Sequence, residues 1–215
     1  MGLNVFYNIL GLIRGKRWGK ASKCKRLIKQ LRSRLTVQKS RTNAIIRQLR
    51  ADIVQLMQNG LHHVVSTRVE QLYRDYCRLY AYDQLEGFCE CICTNLRDIS
   101  RGRKLSVEVH EALSTLIFAS SRCGELPELH SLRNLFKQHF GQKFERVNVE
   151  LLPGNAVNSE IKHNLTMSSV TEEVKLQLTN EIATEFTHQS AVLNQQNYLF
   201  PALQKASLIN FTPFL

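Results

Sequence analysis

Residues 21–60 read ASKCKRLIKQLRSRLTVQKSRTNAIIRQLRADIVQLMQNG, with no proline or glycine before the closing Asn59-Gly60. Cys24, Ile28, Leu31, Leu35, Ile46, Leu49, Ile53 and Leu56 recur at helical spacing, with Gln38 and Thr42 as a polar gap. The pattern predicts one uninterrupted helix from Ala21 to Asn59, roughly 58 Å long at 1.5 Å per residue. Gly60 then suits the left-handed position that follows a helix terminus.

The same helix holds the chain's excess charge. Fourteen lysines and arginines lie between Arg14 and Arg50, and the first acid anywhere is Asp52. From Asp52 onward the signs nearly balance, so the net charge of +11 belongs to one basic element. At about 100° per residue, Lys23, Arg26, Lys29, Arg41 and Arg47 point most nearly away from the Ile28, Leu31, Leu35 stripe. One side of the helix therefore requires a protein neighbour, and the other offers a strip for anions.

From His62 a second pattern runs through Val65, Val69, Leu72, Tyr76, Leu79, Leu85, Phe88, Ile92, Leu96 and Ile99, interrupted weakly by Gly87. It is about as long as the first, and only a few residues join them, which makes the two antiparallel neighbours in a hairpin. The second helix brings Glu70, Asp75, Asp83, Glu86 and Glu90 opposite the basic one. Shorter helices follow: one opening at Ser106-Val107, one at Leu126-Pro127 that closes at Gly141, a short turn within Lys143–Glu150, a brief helix from Asn158 to Leu165, and a last one capped by Thr171. Four prolines and ten widely scattered glycines argue against a many-stranded sheet, so the class is all-α.

Six cysteines in a chain without a secretion signal point to reduced thiols and a cytosolic protein. Cys89, Cys91 and Cys93 alternate within a helical pattern and lack zinc-knuckle spacing, so they read as small apolar packing, and no metal or cofactor is implied. The seven histidines are dispersed. No phosphate-binding Gly-x-x-x-x-Gly-Lys run, Gly-x-Ser-x-Gly elbow or His-Glu-x-x-His pair occurs, so no catalytic residue is assigned and the reading is non-enzymatic.

Residues 1–20 form a separate leader. Leu3, Phe6, Leu10 and Ile13 make an apolar stripe that precedes Arg14, Lys16, Arg17, Trp18 and Lys20. A signal peptide has the reverse order, and the run is too short to span a bilayer. An amphipathic segment with a tryptophan and a basic flank suits a membrane interface. The alternative is that these residues pack on the domain or stay disordered. At the other end, residues 187–215 carry one charge, Lys205, and form an apolar tail.

Several blocks give the chain a family likeness: Ser22-Lys23-Cys24-Lys25; Arg68-Val69-Glu70; Ala81-Tyr82-Asp83-Gln84-Leu85-Glu86-Gly87-Phe88-Cys89-Glu90; Glu111-Ala112-Leu113-Ser114-Thr115-Leu116-Ile117-Phe118-Ala119; and Arg122-Cys123-Gly124-Glu125-Leu126-Pro127-Glu128-Leu129. Lys143-Phe144, Val157-Asn158 and Glu173-Val174-Lys175-Leu176-Gln177-Leu178 continue it. Over about 21–186 the chain resembles the increased-sodium-tolerance family of ESCRT-III-like proteins, regulators of the Vps-class AAA ATPase in the multivesicular-body pathway. The resemblance implies an ESCRT-III-like core, a long antiparallel hairpin with several shorter helices packed on it. It also implies a cytoplasmic adaptor, peripheral on endosomal membrane, that binds ESCRT-III subunits, joins homo- or hetero-polymers and tunes the ATPase or its cofactor. The tail lacks the acidic start and spaced leucines of the motif such proteins use on the ATPase, which implies weak recruitment.

Arg14, Lys16, Arg17, Trp18, Lys20, Lys23, Arg26, Lys29, Arg41 and Arg47 are thus the expected contacts for an anionic membrane or an acidic partner. Leu3, Phe6, Leu10 and Ile13 are the expected inserting residues. The competing use of such a strip is sequence-independent nucleic-acid binding. Trp18 alone offers a ring for base stacking, and no zinc or helix-turn-helix signature accompanies it, which disfavours that use. A solvated basic face without a dedicated ligand is the remaining alternative.

Overall fold

The computed structural model describes residues 18–167 and 169–188, and among these the chain forms seven helices and no strand. They are α1 (Ala21–Gln58), α2 (His62–Ser100), α3 (Val107–Ala119), α4 (Pro127–Phe140), α5 (Gln142–Val149), α6 (Ser159–Thr166) and α7 (172–188). The residues expected to make one short turn after Gly141 make a full eight-residue helix instead. Gly87 leaves α2 unbroken. The expected leader segment from Leu3 to Arg17 and the tail from 189 onward lie outside the described residues.

Two compact units share the long helices. The first comprises residues up to Ile46 together with Arg74–Ser168, and the second comprises Arg47–Tyr73 with the chain from Ser169.

In the first unit the organising element is α3. Every residue from Val109 to Ala119 except Glu111 is buried, so this helix is apolar around its circumference and has to be enclosed on all sides. Ile28, Leu31 and Leu35 of α1 and Leu85, Cys89 and Ile92 of α2 belong to the same core, as do Leu129, Leu132, Leu135 and Phe136 of α4. Of the three cysteines expected as small apolar packing, Cys89 is buried, and Cys91 and Cys93 lie half-buried against the same core; Cys24 and Cys123 are buried too, and burial holds their thiols near pKa 12 and raises Cys89 as well.

Local chemistry sets the helix boundaries. Ser106 caps α3 by accepting a 3.4 Å hydrogen bond from the Val109 amide. Pro127 occupies the first turn of α4, where its missing N–H is no loss. Asn158 caps α6 through the amides of Glu160 and Ile161, both at 3.0 Å. Its own amide group reaches Glu111 of α3 at 2.7 Å, and its backbone N–H donates to the Thr115 hydroxyl at 3.0 Å. One residue therefore starts α6 and fastens it to α3. Glu160, within the first turn of α6, accepts from Tyr80 of α2 at 3.0 Å and also from Gln84.

In the second unit, Gly60 adopts φ +71° and ends α1 with paired bonds, Leu61 N–H to the Leu56 carbonyl at 2.9 Å and Gly60 N–H to Met57 at 3.1 Å. Leu49, Ile53, Val65, Val69 and Leu72 join Val170, Leu178 and Ile182 as its buried residues. Arg50 pairs with Glu185 of α7.

His110 of α3 is buried, with its ring edge-on to Phe144 at 5.2 Å, and burial lowers its pKa to about 4. The imidazole is neutral in the fold at neutral pH. Below about 6.5 the unfolded chain takes up the proton while the folded chain does not, so stability is lost as pH falls through the interval from about 6.5 to 4. The expected loss is about 3 kcal/mol, read from urea midpoints across that range. In His110→Gln that part of the slope disappears; an unchanged slope would refute the assignment.

A candidate interaction surface on the first helix

The cations of α1 separate into two sets according to what faces them. On the flank toward α2, Lys39 reaches Asp83 at 2.9 Å and Glu86 at 2.7 Å, and Arg32 approaches Glu86 at 3.6 Å. Hydrogen bonds from Lys39 hold the Glu86 carboxyl below its usual range, and the same bonds raise the Lys39 ammonium. On the flank toward α4, the Arg34 Nε donates to both Glu128 oxygens, at 2.8 and 2.7 Å, and Lys20 reaches Gln138. These two contacts also fix α4 antiparallel to the first half of α1.

The second set faces outward. Lys23, Arg26, Lys29 and Arg41 are exposed, and none forms an ion pair with another described residue. Arg47 is likewise exposed, and it belongs to the second unit. The structure thus brings Lys23, Arg26, Lys29 and Arg41 onto one solvent-facing side of the first unit. Unneutralised ammonium and guanidinium groups on a rigid helix can hold phosphates or carboxylates by charge-assisted hydrogen bonds. No group of three or more His, Cys, Asp or Glu side chains able to hold a metal occurs among the described residues. Nor is any helix there long and apolar enough to cross a membrane.

Trp18 is placed differently from the membrane-interface expectation. It is 7% exposed, its ring stacked on His139 at 4.9 Å and 6.2 Å from Phe136, and its backbone N–H donates to the Ser100 carbonyl at 2.8 Å. An indole enclosed by α4 is part of the core and is unavailable to lipid, so the basic surface carries no aromatic anchor at this position. Arg14, Lys16 and Arg17, like Leu3, Phe6, Leu10 and Ile13, lie outside the described residues.

Two further residues on α1 were not singled out by sequence periodicity. Val37 and Ile45 are 49% and 47% exposed, and they flank Arg41 at one-turn intervals on a single ridge. Their signal was present in the sequence: at 100° per residue both fall off the stripe that the core uses.

The family model described as "Ist1: Regulator of Vps4 activity in the MVB pathway" matches residues 25–189. An IST1-like protein of Dictyostelium discoideum is 25% identical over 154 residues, which span 72% of this chain and 41% of that protein. The vacuolar protein sorting-associated protein IST1 of Saccharomyces cerevisiae is 28% identical over 140 residues, 61% of this chain and 45% of that protein. The chain therefore spans less than half the length of these relatives. Among solved structures, the S. cerevisiae Ist1 N-terminal domain in complex with the Did2 MIM motif superposes with a TM-score of 0.69 at 23% identity, covering 77% of this chain and 92% of that one. At that identity the likeness is one of fold.

Trp18 is the single tryptophan of the chain, so its fluorescence reports one site. Emission is expected to be blue-shifted in the folded protein and unmoved by phosphatidylserine vesicles. A further blue shift on adding vesicles would show that the ring leaves the core for the lipid interface. Trp18→Ala is expected to destabilise the fold by about 3–5 kcal/mol in urea denaturation.

Proposed function

This chain belongs to the Ist1 family, described as regulators of Vps4 activity in the MVB pathway, and from that premise we propose that it is a non-enzymatic adaptor of endosomal sorting. In this reading it binds ESCRT-III subunits, tunes the disassembly ATPase, and sits peripherally on the cytoplasmic side of the endosomal membrane. The observation that carries the membrane contact is the division of the α1 cations. Those facing α2 and α4 are neutralised by carboxylates or hydrogen-bonded, whereas Lys23, Arg26, Lys29 and Arg41 face solvent with none.

An anionic leaflet suits such a face better than a duplex. Each lysine or arginine near an anionic bilayer contributes about 1 kcal/mol without any need for base recognition. The one tryptophan that could have stacked on bases is enclosed by α4. For the protein arm of the proposal, support comes from the fold neighbour, whose structure holds a Did2 MIM motif. The helical domain of this chain is proposed to take the corresponding segment of an ESCRT-III subunit. Arg14, Lys16 and Arg17 are proposed to extend the basic contact, with Leu3, Phe6, Leu10 and Ile13 as its inserting part; Arg47 is proposed as a basic contact of the second unit by itself.

Flotation of the full chain with vesicles containing phosphatidylserine tests the membrane arm. The double variant Arg26→Glu/Lys29→Glu is expected to lower the partition coefficient by tenfold or more, from about 1 kcal/mol per cation. Unchanged flotation would remove these residues from the contact. Tight retention on a random DNA duplex without vesicle binding would replace the membrane by nucleic acid.

Pull-down on immobilised ESCRT-III C-terminal segments tests the protein arm. Capture by residues 1–186, which keep Trp18, is the expected result, and capture that needs residues 187–215 would place the contact in the tail instead.

A further inference from the structure

The loop that joins α2 to α3 carries a cluster of cations that the membrane reading does not use. It reads Ser100-Arg101-Gly102-Arg103-Lys104-Leu105-Ser106-Val107, so Ser106 has arginine both three and five positions before it, lysine two before it and valine directly after it. No other serine or threonine of the chain has that double arginine spacing. Ser100 has Arg97 three positions before it, but Asn95 at five and Arg101 directly after. Arginine-directed protein kinases read such a pattern: their carboxylates bind guanidinium groups ahead of the acceptor hydroxyl, and an apolar pocket takes the side chain that follows it.

The structure presents the pattern in a form that an enzyme cleft can take. Residues 103–106 are non-helical, and Ser106 itself is extended at φ −69° and ψ 165°. Leu105 is half-buried against the core, and its neighbours along the extended backbone, Lys104 and Ser106, turn outward. Arg101 and Arg103 are exposed as well. Val107 is 80% exposed, the highest value among the large apolar side chains that the described residues leave in water. Ser33 and Ser40, by contrast, stand in mid-helix among the cations of α1, and Ser114 is fully buried.

The loop is held lightly. Arg103 pairs with Asp98 at 2.8 Å, but both side chains are largely in water, where such a pair contributes about 0–1 kcal/mol. Ser106 accepts its capping bond from the Val109 amide at 3.4 Å, and its hydroxyl also bonds the Glu108 carboxylate. Ser106, Val107 and Glu108 are all exposed, so the first turn of α3 can open without uncovering a core side chain before Val109.

We propose that Ser106 is a phosphorylation site, the acceptor for an arginine-directed serine/threonine kinase that uses ATP. The transfer forms a bond between Ser106 Oγ and the γ-phosphorus as the bond from that phosphorus to the β,γ-bridging oxygen breaks. ADP leaves, and the hydroxyl proton passes to the carboxylate of the kinase's catalytic loop. The phosphate brings a charge of about −1.5 to −2 at pH 7 beside Arg101, Arg103 and Lys104, which offsets most of the loop's positive charge. The start of α3 tolerates the product, because negative charge is favourable there. The arginine spacing and the exposed backbone are what select the residue.

Incubation of the full chain with protein kinase B and ATP, followed by mass spectrometry of the digested protein, reads the site. One phosphate on Ser106 is expected, absent from Ser106→Ala and restored in Ser106→Thr. Arg101→Ala and Arg103→Ala are each expected to lower kcat/KM by about tenfold or more, since each removes a charge-assisted contact with the kinase. Neither arginine belongs to the core, and unchanged urea midpoints separate lost recognition from lost fold. A synthetic peptide of residues 98–110 gives the rate for the unfolded pattern, and the folded chain is expected within about tenfold of it.

A peptide that is modified while the folded chain is not would show that the fold withholds the loop, and overturns the proposal. So do a peptide that takes no phosphate, incorporation at Ser100 or elsewhere in place of Ser106, and rates indifferent to Arg101 and Arg103. No vesicle enters the assay, so this proposal and the membrane reading can fail separately.

Discussion

Helix α3 presents buried side chains around almost its whole circumference from Val109 to Ala119, and an apolar cylinder of that kind must be enclosed by other elements. The first unit is arranged to satisfy this requirement. Its core draws on α1, α2 and α4 together with Phe144 of α5 and Ile161 of α6. The polar exceptions on α3 are used as attachment points, Glu111 and Thr115 both bonding Asn158 at the start of α6. A change at Asn158 therefore acts on the capping of α6 and on its attachment to α3 at once. Burial at about 25 cal/mol per Å² supplies the driving force, while the polar bonds select which short helix lies where.

The electrostatics follow from that packing. Once α2 and α4 are held against α1, their acids come within reach of only part of its cationic surface. Asp83, Glu86 and Glu128 answer Lys39, Arg32 and Arg34. Partly exposed pairs of this type contribute about 0–1 kcal/mol each, so they align the helices more than they stabilise them. The outward cations have no such role in the fold.

The long helices and their ends could be read from the sequence because the information is local. An unbroken 3.6-residue pattern, Gly60 after α1, Ser106 before α3, Pro127 at the start of α4 and Asn158 before α6 each specify a boundary within a few residues. The enclosure of Trp18 could not be read in this way. It depends on Phe136 and His139, more than a hundred positions away, which the helix pairing brings beside it. A tryptophan beside a basic run has the same appearance in sequence whether it packs on protein or lies in lipid. The outward direction of Lys23, Arg26 and Lys29 was legible because a helical wheel determines it. Which cations are neutralised was not, since Arg34 and Lys39 lie on the same helix and differ only through long-range neighbours.

The unneutralised face is also a mild liability to the folded chain. Arg26 and Lys29 stand three residues apart, and Lys25 and Lys29 four apart. Like charges at those intervals destabilise an exposed helix by a few tenths of a kcal/mol per pair, whereas a glutamate at one of the positions would turn repulsion into attraction. Core packing does not require them, because the buried side of α1 is formed by Cys24, Leu27, Ile28, Leu31 and Leu35. An element that carries repulsion without a structural return gains from a surface that removes the repulsion. An anionic surface of the kind proposed would do this for the outward set. The same helix is thus driven inward by its apolar stripe and outward by its charge, and the two requirements do not compete because they occupy opposite sides of one cylinder.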